Sequence, residues 1–256
     1  MRKAGELIAQ YLREGKLAAN RSEPIGAGAY GVVYESDVPG NVMKQQRDPA
    51  YGYDLEDEVN LQAIAAEMGI APRVAGLEKF PGGIGDRIEM QDIRNNFENA
   101  FEAGGVDVNK LRTTDIRTAQ QLGQLALKGV RLEDRNPANV YQNKMTGRPM
   151  QLDFGIAGKL EGSEKAAWLT HVTAEGFEAA GLNEVASIYR ATVMDLLEGG
   201  DVVDAMDVAK QGFSRLQKIK EPVKGRVPSA KTILLEDALK DFDPDYRKVD
   251  EIEIPF

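Results

Sequence analysis

The spacing of apolar positions changes character along this chain. Residues 2–19 place Leu7, Ile8, Tyr11 and Leu12 at helical spacing, which predicts an amphipathic N-terminal helix. Short extended runs follow: a glycine-rich turn from Gly26 to Gly31, then Val32-Val33-Tyr34, then Val42-Met43-Lys44. Between the last two lies Asp37-Val38-Pro39-Gly40-Asn41. Pro39 and Gly40 suit the central positions of a type II turn, so the pattern predicts strand, turn, strand. Helical spacing returns over about 54–68 and stops at Gly69 and Pro72. Gly85 to Ile93 reads as a further strand, and Arg94-Asn95-Asn96 as a break.

Beyond that break the pattern is mainly helical. Helices are predicted near 115–128, where Gly129 is the stop, and near 175–198, 201–218 and 231–240. A hairpin interrupts them, with Asn139–Gln142 opposite Pro149–Asp153 around Asn143-Lys144-Met145-Thr146-Gly147. Strands first and helices afterwards predict an α+β, bilobal chain: a helical extension over 1–22, a small strand-rich lobe over 23–93 and a mostly helical lobe over 94–256.

Composition narrows the function classes. The 256 residues are 42% hydrophobic, enough for a sizeable core. No window approaches the ~18 uninterrupted apolar residues of a membrane span. Glu6 stands where a signal peptide needs apolar residues. The absence of cysteine rules out disulfides, thiolate metal sites and cysteine nucleophiles, and suits a reducing, cytoplasmic setting. The one histidine, His171, leaves no multi-histidine metal cluster and reads as a surface or core residue. A net charge of −9 argues against a general nucleic-acid partner. The basic residues from Arg215 to Lys231 are interspersed with apolar and acidic ones and read as a solvated face.

Four polar anchors carry candidate chemistry. Gly26, Gly28 and Gly31 let backbone N–H groups approach an anion with no Cβ in the way. A dinucleotide-binding turn uses the same spacing but opens a helix, whereas here another strand follows; a plain glycine hairpin is the bland alternative. Lys44 ends the strand paired with that turn. On the helix near 54–68, Leu61, Ile64, Ala65 and Met68 form one stripe; Glu56 points away from it, and Asp57 and Glu58 lie within about 60°. Glu58 has the longer reach toward Lys44. Asp134, Pro137 and Asn139 follow a helix ending Lys128-Gly129-Val130, and Asp153-Phe154-Gly155 follows Asn139 by fourteen residues. The hairpin brings Asn139 and Asp153 together, an amide oxygen and a carboxylate that one Mg²⁺ can share with phosphates.

In that order and spacing, residues 25–157 resemble the protein-kinase superfamily, in an atypical, compact, bacterial- or phage-like form; Glu58-Val59-Asn60-Leu61-Gln62 looks like the corresponding helix of such proteins. The resemblance implies a protein-kinase-like fold and the cofactors ATP and Mg²⁺. It implies a glycine loop over the phosphates, Lys44 bridging phosphates and Glu58, and Asp134 taking the acceptor hydroxyl's proton. Asn139 and Asp153 would hold the metal, Met90 would be the gatekeeper, and Gln91-Asp92-Ile93 the adenine hinge.

The chain also departs from that family. Leu132 and Glu133 stand where histidine and arginine are usual, so a phosphate-switched activation segment is not expected. Asn136 replaces the lysine typical of serine/threonine kinases, with Arg135 beside it, and no Ala-Pro-Glu follows Gly155. The leading expectation is a cytoplasmic phosphotransferase acting on Ser/Thr hydroxyls of a protein substrate, with no nucleic-acid or membrane partner. A small-molecule kinase of the aminoglycoside type, an AMP-transferring variant and a non-catalytic nucleotide-binding pseudokinase stand as alternatives.

Overall fold

The computed structural model describes residues 23–27, 31–46, 55–80, 86–104, 107–134 and 136–223. The expected helices at 2–19 and 231–240, Gly28 and Arg135 lie outside them. The chain divides into two compact units: one runs to Asn99 and takes in Leu132–Gly158, and the other joins Ala100–Arg131 to the chain from Lys159 on.

The first unit holds the strands. β1 (Gly26–Ala27), β2 (Gly31–Glu35), β3 (Asn41–Gln46), β4 (Val74–Glu78) and β5 (Arg87–Gln91) form an antiparallel sheet in the order β1-β2-β3-β5-β4. The β2–β3 turn has Gly40 at φ +83° and Asn41 N donating to Val38 O at 3.1 Å, the type II geometry that Pro39-Gly40 predicts. β6 (Phe97–Asn99) begins a second sheet. β7 (Val130–Leu132) leads into the second segment of the unit, which holds β8 (Val140–Asn143) and β9 (Pro149–Gln151) and ends in β10 (Ala157–Lys159). β6, β8 and β9 pair antiparallel in the order β6-β8-β9. Asn143 shapes the β8–β9 turn, its Oδ1 accepting from Met145 N, Thr146 N and Thr146 Oγ1.

One helix, α1 (Leu55–Glu67), lies between β3 and β4 in the chain. Glu56, Asp57 and Glu58 crowd its first turn, where the helix dipole favours negative charge. It ends in a Schellman motif: Gly69 has φ +67°, Gly69 N donates to Ala66 O at 2.9 Å, and Ile70 N donates to Ala65 O at 2.9 Å. Arg148 Nη2 donates to Met68 O at 2.8 Å, and Gln151 N donates to Ile70 O at 2.7 Å. The hairpin is thus tied to the end of α1.

The second unit is helical: α2 (Ala100–Gly104), α3 (Val108–Leu127), α4 (Gly162–Ala179), α5 (Asn183–Glu198) and α6 (Val202–Leu216). Two expectations change here. α3 begins seven residues before 115, because Asp107 caps it through Asn109 N and Lys110 N. The stretch expected as one helix over 175–198 is two, broken at Gly181 with φ +85°. Glycines let the helices pack closely: a Cβ on Gly123 would lie 2.1 Å from the Phe213 ring, on Gly176 2.5 Å from Leu216, and on Gly212 2.3 Å from Tyr189. Tyr189, buried there, donates from its hydroxyl to Ala209 O at 3.0 Å. Among the described residues no helix is long and apolar enough to cross a membrane.

Candidate active site

Period-2 alternation in β3 turns Val42, Lys44 and Gln46 to one buried face. A lysine there requires compensation, and two carboxylates supply it. Lys44 Nζ donates to Glu58 Oε1 at 2.7 Å and to Asp153 Oδ1 at 2.8 Å. The Glu58 side chain is 1% exposed and that of Asp153 23%. Burial by itself pulls the Lys44 pKa down, but Glu58 and then Asp153 outweigh it and hold the pKa above the ordinary lysine value. Lys44 is therefore a fixed cation at neutral pH. On α1, Glu56 is exposed and bonded to Lys79, Asp57 is exposed, and Glu58 turns inward.

Asp153 carries its own constraint. Among the described residues other than glycine it is the one with positive φ, +57°. Gly155 N donates to its Oδ1 at 3.3 Å, and Phe154 beside it is 1% exposed. A left-handed aspartate costs about 1–3 kcal/mol unless its surroundings hold it, and here Lys44 and the buried Phe154 do so.

Asn136 caps the short 3₁₀ turn Pro137–Asn139, its Oδ1 accepting from Ala138 N at 2.9 Å. Asp134 Oδ1 accepts from Asn136 N at 3.2 Å, and its Oδ2 accepts from Asn139 Nδ2 at 2.9 Å. Leu152 N donates to Asn139 O at 2.8 Å, which brings Asn139 alongside the residue that precedes Asp153.

A cleft of about 330 Å³ joins these groups within the first unit. Val33, Val42, Met90, Ile93 and Leu152 give it apolar surface, and Lys44, Glu58, Asn139 and Asp153 give it polar groups. Gly26, Gly31 and Gln91 also line it; Asp134 does not, and reaches it through Asn139. Gly31 is a close-approach glycine, since a Cβ would lie 2.9 Å from Gln45 O and 3.2 Å from Lys44 Cε. Gly26 is not: its Cβ would meet Val33 at 3.8 Å, an ordinary contact.

The segment Gln91-Asp92-Ile93 is pinned at two amides, Gln91 N donating to Arg73 O at 2.8 Å and Asp92 N to Gly40 O at 2.9 Å. Ile93 N makes no hydrogen bond among the described residues. Arg94 bonds both Asp92 and Glu35, and its hydrogen bond to Asp92 holds that carboxyl below the usual range.

Sequence reasoning passed over Gln62, Tyr141 and Leu152 as cleft residues. Leu152 had a signal in its position next to Asp153. Gln62 had none, being a polar residue off the apolar stripe expected on its helix.

No family model and no curated protein matches this chain. Among solved structures, it is similar to the PknI kinase domain of Mycobacterium tuberculosis, solved as a double mutant, at 20% identity and a TM-score of 0.44, over 76% of this chain and 94% of that one. It is also similar to the kinase PK-1 of Cydia pomonella granulovirus, at 12% identity and a TM-score of 0.45, over 70% of this chain and 75% of that one. The fold is α+β: among the described residues, a five-stranded antiparallel sheet with a helix after the third strand, then a mostly helical remainder interrupted by a hairpin.

Proposed function

We propose that this protein is an ATP- and Mg²⁺-dependent phosphotransferase of the protein-kinase type, acting on Ser/Thr hydroxyls of a protein. The observation that supports this most is Lys44 bridging Glu58 and Asp153 at 2.7 and 2.8 Å in a cleft that Asn139 also lines. A cation fixed at neutral pH beside an apolar cleft is what a nucleotide triphosphate requires.

In this reading the apolar surface of Val33, Val42 and Leu152 takes the base beside the gatekeeper Met90. Gln91 and Ile93 face it as the hinge, Ile93 with an amide that bonds no other described residue. Backbone N–H groups of the Gly26–Gly31 loop and the Lys44 ammonium neutralise phosphate oxygens. The acceptor oxygen attacks the γ-phosphorus, the bond to the β–γ bridging oxygen breaks, and ADP departs with its electron pair. The hydroxyl proton passes to Asp134, which Asn139 and the Asn136 amide orient.

Among the described residues no three His, Cys, Asp or Glu side chains gather into a metal cage. Asn139 and Asp153 offer two hard oxygen donors in one cleft, which suits Mg²⁺ completed by phosphates and water. When bound, the ion neutralises charge on the transferring phosphoryl group. The test is calorimetric titration with ATP with and without Mg²⁺. Binding should require the metal, weaken at least tenfold in Lys44→Ala, and lose its metal dependence in Asp153→Asn. Equal ATP affinity in all three proteins would overturn the reading.

One observation favours a second reading, a small-molecule kinase. Only six residues, Ile156–Glu161, separate Gly155 from the start of α4. That is little chain for a platform that grips an extended peptide.

A further inference from the structure

Gln62 is a polar side chain in a position that packing would fill with an apolar one. It lies one turn beyond Glu58 on α1, on the inward face shared with Leu55, Leu61 and Ala65, and is 2% exposed. Its Nε2 donates to Pro72 O at 3.0 Å and lies 4.0 Å from Met90 Sδ. Pro72 is itself buried, so without Gln62 its carbonyl would lose that donor in a place short of water.

The two neighbours on one face reach different strands. Glu58 bonds Lys44 on β3, while Gln62 bonds the segment entering β4 and touches Met90 on β5. Met90 pairs in turn with Val42, two residues before Lys44. Apolar contacts such as those of Leu61 and Ala65 tolerate a small slide or rotation of a helix. A buried amide-to-carbonyl bond is directional and does not. Arg148 also bonds α1, at Met68 O, but that bond is exposed and its leverage is smaller.

We infer that Gln62 is a positioning residue: its bond to Pro72 holds α1 at the rotation and depth at which Glu58 meets Lys44. The kinetic consequence rests on the phosphotransferase reading; the structural one does not. A leucine or methionine would fill the same space and leave the helix free to turn.

The test is Gln62→Met, which keeps length and removes the donor, with Gln62→Asn, whose amide is one methylene too short, as a second variant. The expected result is a fall in kcat of about tenfold with the acceptor KM within about twofold. In a Glu58→Gln background the same change should cost less than about twofold, because it acts through Glu58. Unchanged kcat well below the melting temperature, or equal losses in both backgrounds, would overturn the proposal and leave Gln62 a packing residue. A second readout needs no catalysis: acetylation at pH 8, quantified residue by residue by peptide mass spectrometry, with the exposed Lys128 as reference. Lys44 should react several-fold faster in both variants than in wild type, toward its rate in Glu58→Gln. If wild type transfers no phosphate, the phosphotransferase reading fails by itself, and the Lys44 labelling rate still decides the role of Gln62; an unchanged rate sinks it.

Discussion

Replacing Lys44 with methionine keeps the length of the side chain and removes the charge that Glu58 and Asp153 both bond. Glu58 is the more sensitive of the two, with 1% of its side chain exposed against 23% for Asp153. Removing one partner of a buried pair costs about 3–5 kcal/mol. The remaining carboxylates can lower that cost by taking up one proton, at about 1.4 kcal/mol for each pH unit above the ordinary carboxylate range near pH 4. Proton uptake therefore costs about 1 kcal/mol at pH 5 and about 4 kcal/mol at pH 7. The variant should lose little at pH 5 and the full penalty at neutral pH. Wild type behaves differently: the raised Lys44 pKa means that its contribution is fully present below the ordinary lysine value of 10.5 and is lost only as pH rises through the higher folded value. Between pH 5 and 8 this group gives wild type no slope. Urea unfolding by far-UV circular dichroism at pH 5, 6, 7 and 8 measures the difference between the proteins, which must grow with pH. A difference that stays constant would refute the claim that Lys44 holds two carboxylates charged and together.

Other predictions test the geometry more locally. Asp153→Gly and Asp153→Ala both lose the carboxylate, so their difference isolates the φ of +57°; the glycine variant should be more stable by about 1 kcal/mol in thermal unfolding. Gly31→Ala should cost about 1–3 kcal/mol because its Cβ would lie 2.9 Å from Gln45 O, while Gly26→Ala should stay within about 0.5 kcal/mol of wild type. Gly123→Ala sets a helix-propensity gain of about 1 kcal/mol against a Cβ 2.1 Å from the Phe213 ring. Overpacking should win by about 1–2 kcal/mol, read by the fluorescence of Trp168 on α4.

Much of this arrangement was legible in the sequence because short-range rules set it. Pro39-Gly40 specifies its turn, alternation in β3 gives Lys44 an inward face, and helical phase separates Glu56 from Glu58. The hairpin around Asn143 accounts for the approach of the Asn139 and Asp153 segments. What stayed hidden depended on partners distant in sequence. The stripe expected on α1 was Leu61, Ile64, Ala65 and Met68, whereas the buried face is Leu55, Glu58, Leu61, Gln62 and Ala65. It is turned toward a lysine and a proline carbonyl, and no apolar periodicity reports those. The start of α4 at Gly162, ahead of the expected 175, was hidden because Thr170 and Thr173 are buried in it and break the apolar pattern. The left-handed Asp153 was likewise invisible, since its φ is imposed by what surrounds it.

The central claim is tested most directly by transfer of labelled γ-phosphate from Mg·ATP, offered with a protein mixture and, separately, with small hydroxyl compounds such as aminoglycosides. Wild type, Lys44→Ala and Asp134→Ala are compared. The account predicts label on protein with wild type and a loss of at least a hundredfold in both variants. Label on the small molecules alone would keep the phosphotransferase and contradict the protein acceptor. No transfer to any acceptor by wild type would contradict the claim itself.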